Sequence, residues 1–274
     1  MDVITANGLR MPRLGFGTWP LSGRDGQRAV ESALEVGYRH IDTAQMYGNE
    51  AEVGAAIAAS GVQRDSLHVT TKVWHDSLAP RRLRAAMDAS LEKLKLDFVD
   101  LYLIHWPSSD MNLPATLETL MALRQEGKTR AIGVANFNVA LMRQCIEQVK
   151  APIAAVQFEY HVTLRQPALL AYLRAHGIPI TAYSPLGKGQ LTDHPVLRRI
   201  AEKHGATPTQ VALAWLWAQP DVSPIPKSAR RERQKENMDA TRLKLDAEDI
   251  AALDALPKDQ RRVSGFGASW DATG

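Results

Sequence analysis

Four side chains of this sequence could do chemistry together. Asp42, Tyr47, Lys72 and His105 follow one another at, or just beyond, the ends of successive short apolar runs. A phenol has a reference pKa of ~10 and is a weak proton donor at neutral pH. A nearby ammonium stabilises the phenolate, so Lys72 beside Tyr47 predicts a phenol pulled down toward a useful range. A buried ammonium needs a partner, and Asp42 can supply it. His105 could donate a hydrogen bond to the oxygen that Tyr47 protonates. This set describes reduction of a carbonyl, with the hydride coming from a bound cofactor because no side chain supplies one. Taken singly each residue is ordinary: a strand-end Asp or Lys is usually solvated or paired, and His105 beside Trp106-Pro107 reads equally as a wall residue. Their order carries the signal. Lys72 alone would also permit a Schiff-base lyase, which needs a neutral amine that Asp42 opposes. The eight histidines show neither His-x-His nor His-Glu-x-x-His spacing, so no metal is expected.

The elements that must position these groups alternate. Candidate strands lie at Leu14–Gly17, His40–Asp42, Leu67–Lys72, Val99–His105, Ala131–Val134, Ala154–Phe158, Ile178–Ala182 and Val222–Pro226. Helical periodicity fills the gaps. Leu83, Ala86/Met87, Ser90/Leu91 and Leu94 share one face, Pro80 suits a first turn, and Thr207 before Pro208 suits an N-cap. The opening Val3–Met11 stretch reads as a hairpin turning at Asn7-Gly8. Strands alternating with helices predict a parallel sheet. Each strand delivers a polar or aromatic group at its C-terminal end: Thr18-Trp19, Asp42, Lys72, His105, Asn136, Gln157, Tyr183 and Lys227. A closed barrel gathers all eight ends around one mouth, whereas an open sheet leaves the outer strands far from its crevice. The expectation is a (β/α)8 barrel forming one domain over residues 1–274. Gly15-Phe16-Gly17 lacks the third glycine and the setting of a dinucleotide loop and is not read as one.

Bulk properties narrow the class. The 274 residues carry a net charge of +3 and one cysteine, Cys145, so no intrachain disulfide forms. The N-terminus has no secretory pattern, which with the lone cysteine predicts a cytoplasmic protein. The longest strongly apolar run, Val211–Ala218, is far too short to span a bilayer and reads as a buried helix. No membrane or nucleic-acid partner is expected, and a monomer is.

Several stretches resemble the aldo-keto reductase family: His40–Glu50, Asp97–Pro107, Gly133–Phe137, Tyr183–Gly187 and Ile225–Asn237, in order and spanning nearly the whole chain. The similarity is greatest to bacterial 2,5-diketo-D-gluconate and methylglyoxal reductases. It implies NADPH-dependent reduction of small dicarbonyls, with Tyr47 as acid, Lys72 and Asp42 tuning it and His105 orienting the carbonyl. It also implies that Tyr183 stacks on the nicotinamide and that Asn136 and Gln157 hold its carboxamide. Lys227, Ser228 and Arg233 would hold the 2′-phosphate and Asn237 the adenine. Thr18, Trp19, Asp42, Ser184, Leu186 and Gly187 would complete the cofactor site. The segment Gly187–Leu191 would clasp the pyrophosphate. Trp19, Trp74 and Trp106 would line the substrate mouth with Tyr47 and His105, although core packing would also suit tryptophan. The opening hairpin would cap the barrel bottom. The glycine-rich tail, with Gly265, Phe266, Gly267 and Trp270, would form a mobile flap setting specificity. Ala135 departs from the serine of many relatives and removes one carboxamide hydrogen bond. The run Lys227–Lys235 also permits a solvated helix face or a nucleic-acid patch. A non-catalytic NADPH-binding subunit remains the non-enzymatic alternative.

Overall fold

A computed structural model of the chain describes residues 2–263. It opens with β1 (Val3–Ala6) and β2 (Leu9–Pro12), an antiparallel pair. Asn7 and Gly8 turn between them at φ of 46° and 84°, the two positive values a type I′ turn requires.

Eight strands then form one sheet in chain order, each parallel to the next. They are β3 (Phe16–Gly17), β4 (His40–Asp42), β5 (His68–Val73), β6 (Val99–Ile104), β7 (Thr129–Ala135), β8 (Ile153–Glu159), β9 (Ile180–Tyr183) and β10 (Val222–Pro224). Between them run α1 (Gly23–Val36), α2 (Glu50–Ala59), α3 (Pro80–Leu94), α4 (Leu113–Gln125), α5 (Val139–Arg143) and α6 (Pro167–Ala175). Two helices, α7 (Pro195–His204) and α8 (Pro208–Ala218), separate β9 from β10, and α9 (Arg231–Asp239) and α10 (Ala247–Asp254) follow.

The sheet closes on itself. Gly15 N donates to Pro224 O at 3.0 Å and Gly17 N to Pro226 O at 3.1 Å, joining the first barrel strand to the last. The alternation is therefore a (β/α)8 barrel. Closure explains the two glycines that flank Phe16. A Cβ at Gly15 would lie 2.6 Å from His40 Nδ1, and one at Gly17 would lie 2.8 Å from Ile225 O. The prolines of the last strand lack N–H groups, so regular pairing ends at Pro224, but Ile225 N still donates to Ala182 O at 3.1 Å.

Alternation along β6 shows the layering. Tyr102 and Ile104 join the cluster between sheet and helices, whereas Leu101 and Leu103 point into the barrel and meet Ile4, Leu9 and Met11 of the hairpin. The hairpin thus plugs the N-terminal end and leaves the other end for chemistry. The expected helix signals hold. In α3, Leu83, Ala86, Met87, Ser90 and Leu94 are buried behind a first-turn Pro80. Thr207 caps α8 reciprocally with Gln210, and Val211 through Leu216 are buried. No described helix is long and apolar enough to cross a membrane. The flap expected from Gly265, Phe266, Gly267 and Trp270 lies outside the described residues.

Candidate active site

β4 and β5 bring Asp42 and Lys72 together. Lys72 Nζ donates to Asp42 Oδ1 at 2.5 Å and to Thr43 O at 2.8 Å, and both side chains are buried. The other carboxylate oxygen, Asp42 Oδ2, accepts Gln157 Nε2 from β8 at 2.7 Å. One carboxylate therefore ties three strands across the barrel interior. Burial pushes the Lys72 ammonium below its ordinary pKa, opposed by Asp42 and Glu50.

Tyr47 lies on a short 3-10 turn, Gln45–Tyr47, that ends at Gly48. Its ring centroid is 5.5 Å from that of His105 and 5.2 Å from that of Trp19, while Lys72 Nζ lies 5.0 Å from it. Trp74 completes the wall, 5.1 Å from His105. Trp19 is 50% exposed and Trp106 buried, so Trp19 and Trp74 form the mouth expected of all three tryptophans, and Trp106 sits deeper.

One expectation is corrected. The Tyr47 phenol is raised well above 10, first by burial and then by the charge of Asp42. The Lys72 ammonium is already matched by Asp42 at contact distance and faces the ring, so it does not offset that burial. His105 is held well below its ordinary value by burial and then by Lys72. It is a neutral imidazole, and its Nδ1 is buried without a hydrogen-bond partner.

The cofactor residues expected from sequence fall along one arc of the mouth. Tyr183 OH donates to Asn136 Oδ1 at 2.8 Å, and Asn136 Nδ2 donates to His105 O at 2.9 Å. Asn136 and Ser184 have φ of 62° and 47°, a region uncommon for residues other than glycine and often found where function dictates backbone geometry. Gly187 begins a 3-10 turn, Gly187–Gly189, close behind Leu186. Thr18 is buried, bound to Asp42 O through both its N–H and its hydroxyl at 3.0 Å. Ala135 is buried at the end of β7.

Beyond β10, Lys227 is exposed and Ser228 Oγ accepts Arg230 N at 3.1 Å just before α9. Arg233, also exposed, pairs with Glu236 at 2.5 Å, and Asn237 is buried one position on. Two cations and a hydroxyl beside a helix N-terminus form a donor set suited to a phosphate. These residues fit a nicotinamide dinucleotide.

Sequence reading missed three residues that build the site. Asn49 is buried, accepts Thr43 OH at 2.7 Å, and donates to Leu21 O at 2.8 Å and Thr18 O at 3.2 Å. Glu50 Oε1 accepts Thr71 OH at 2.6 Å, and its Oε2 is buried without a partner. Gln45 Oε1 accepts Trp74 N at 3.0 Å. Their signal was position: Gln45 and Asn49 sit in the polar stretch between Asp42 and α2, and Glu50 opens that helix. A cavity of about 370 Å³, lined by Ser108, Ser109, Asn136, Asn138 and Gln144, opens beside the site; neither Tyr47 nor His105 lines it.

Residues 13–258 match the aldo/keto reductase family. The chain is 43% identical to the methylglyoxal reductase DkgB of Escherichia coli O157:H7 over 96% of this chain and 100% of that one. It is 42% identical to a glyoxal reductase of Bacillus subtilis strain 168, covering 93% and 92%. A solved structure described as a putative 2,5-diketo-D-gluconic acid reductase B superposes with a TM-score of 0.96 at 42% identity, covering 99% and 98% of the two chains. With its closed barrel, its tetrad at one mouth and these likenesses, the chain belongs to the aldo-keto reductase family and is an oxidoreductase acting on carbonyl groups.

Proposed function

We propose that the chain reduces small dicarbonyl compounds, such as methylglyoxal or 2,5-diketo-D-gluconate, with NADPH. The observation that carries this reading is the buried Asp42–Lys72 contact beneath a Tyr47–His105 pair at an aromatic mouth. NADPH, when bound, supplies the hydride. Tyr183 offers its ring to the nicotinamide, Asn136 and Gln157 its carboxamide partners, and Thr18, Trp19, Ser184, Leu186 and Gly187 line the rest. Lys227, Ser228 and Arg233 take the 2′-phosphate and Asn237 the adenine.

Tyr47 gives its hydroxyl proton to the alkoxide oxygen as that oxygen gains charge. Its raised pKa keeps the phenol protonated until then, and an alkoxide is the far stronger base. The phenolate left behind faces the Lys72 ammonium, which Asp42 keeps in place. Neutral His105 donates one N–H to the carbonyl oxygen and orients it. Trp19 and Trp74 exclude water and give an apolar wall that suits a small substrate. The Schiff-base alternative is disfavoured because Lys72 is buried and hydrogen-bonded on two sides. We further read the chain as one domain acting as a cytoplasmic monomer.

The test is oxidation of NADPH followed by absorbance with methylglyoxal, 2,5-diketo-D-gluconate and a panel of aldehydes and ketones. Turnover with a dicarbonyl is expected. No loss of absorbance with any compound would overturn the reading and leave a non-catalytic cofactor-binding protein.

A further inference from the structure

Glu159 ends β8, its side chain is buried, and the chemistry derived above does not use it. Its carboxylate receives the chain from the far C-terminal side. Arg262 N donates to Oε1 at 2.8 Å and lies 3.1 Å from Oε2, and Val263 N donates to Oε2 at 3.0 Å. His161 Nε2 is 3.3 Å from Oε1. The same stretch is strapped to the loop after β8 elsewhere. Arg165 N donates to Lys258 O at 3.2 Å, Gln260 N to Thr163 O at 3.0 Å, and Lys258 Nζ to Val162 O at 2.6 Å.

The location gives this anchor its meaning. Glu159 lies two residues beyond Gln157 and so on the same face of β8. In the sheet it is the register partner of Tyr183. Successive backbone N–H groups on one carboxylate form a charge-assisted anchor with fixed direction. The loops around it hold the neighbouring residues near the barrel, and among the described residues Glu159 is the acceptor of the backbone N–H groups of residues 262 and 263.

We propose that Glu159 is a positioning residue of the carbonyl site, fixing Arg262 and Val263 at the mouth as the wall beside Tyr183 against which the carbonyl substrate binds. The substrate part rests on the reductase reading above; the anchor itself does not.

Two full-length variants test it. In Glu159→Gln the amide NH2 faces a backbone N–H whichever way it points. Val263→Pro leaves the carboxylate intact, removes one donor, and lies outside the barrel, so it carries the test if the first variant folds poorly. Each is expected to speed tryptic cleavage by about tenfold, read by mass spectrometry at Arg261 and Arg262 for Glu159→Gln and at Arg261 alone for Val263→Pro, where trypsin does not cut the new Arg–Pro bond; each should also raise KM for methylglyoxal by about tenfold, as loss of one charge-assisted hydrogen bond implies. kcat should stay within about twofold and NADPH affinity unchanged, because the altered wall touches neither proton transfer nor phosphate. The double variant should be no worse than the worse single one, since both break one contact. Cleavage at the wild-type rate, an unchanged KM, or single effects that multiply in the double variant would each overturn the proposal. If the wild-type chain reduces nothing, the reductase reading falls, and the cleavage rates alone decide the anchor.

Discussion

Two carboxylates inside the same barrel meet their cations in opposite ways. Asp100, near the start of β6, takes Arg64 at 2.7 Å and Arg130 at 3.1 Å, and accepts Val69 N at 2.9 Å. Both guanidinium groups lie 4.2 Å from the ring centroid of Phe98, and Arg130 reaches solvent. That network pins the starts of three strands at the floor; Asp100 itself is buried, but water reaches its Arg130 partner and weakens that pair. Asp42 and Lys72, at the mouth, are wholly buried, with Gln157 and a backbone carbonyl as their other partners. Packing alone does not require such a pair, because apolar residues of similar volume would often be as stable. A fold that keeps an unscreened ion pair beneath Tyr47 violates a packing rule at the mouth to which the proposed chemistry is assigned.

The contrast can be broken by mutation. Lys72→Met leaves Asp42 buried without its cation, and should cost about 3–5 kcal/mol in urea unfolding and lower carbonyl reduction by ~10²-fold or more. Adding Asp42→Asn should restore part of the stability but none of the turnover. A Lys72→Met protein as stable as wild type would remove the distinction between mouth and floor. Arg233→Ala tests the cofactor end of the mouth: NADPH affinity should fall about tenfold or more, while NADH affinity changes little. Equal losses for both would discard the 2′-phosphate assignment.

Acid reads the space between the two regions. Burial holds His40 inside the barrel at a pKa of about 4. Below its unfolded value of ~6.5, the unfolded chain binds a proton that the folded chain refuses, so stability falls with pH through that window. From pH 7 to pH 5 the loss attributable to His40 should be about 2 kcal/mol, and His40→Gln should lower the slope by that share while buried His68 and His105 keep theirs; an unchanged slope would place the sensitivity elsewhere. The smallest effect is expected at the floor. Asp100→Asn should cost about 1 kcal/mol and leave kcat within about twofold.

Much of this was legible in the sequence because it depended on periodicity and order. The strands were readable as β-branched runs between helical faces, and the ring of polar strand ends argued for closure before any distance was known. Closure itself rested on Gly15 and Gly17, whose need for a bare backbone appears only once His40 and Ile225 stand opposite them. The tetrad was readable for the same reason of order, but its electrostatics were not. A lowered Tyr47 pKa followed from weighing the Lys72 ammonium against the phenol without the burial of that phenol, which together with the charge of Asp42 reverses the sign. Asn49, Glu50 and Glu159 were overlooked because a carboxamide or carboxylate beside a helix start or strand end looks solvated until its partners are seen.

The central claim is that Tyr47 delivers the proton from a site whose other parts bind cofactor without it. Single-turnover reduction of methylglyoxal by NADPH-loaded Tyr47→Phe tests this most directly. The account predicts a rate lower by ~10²–10⁴, with NADPH affinity and thermal stability near those of the wild type. Reduction at the wild-type rate would contradict it and move the acid to another group.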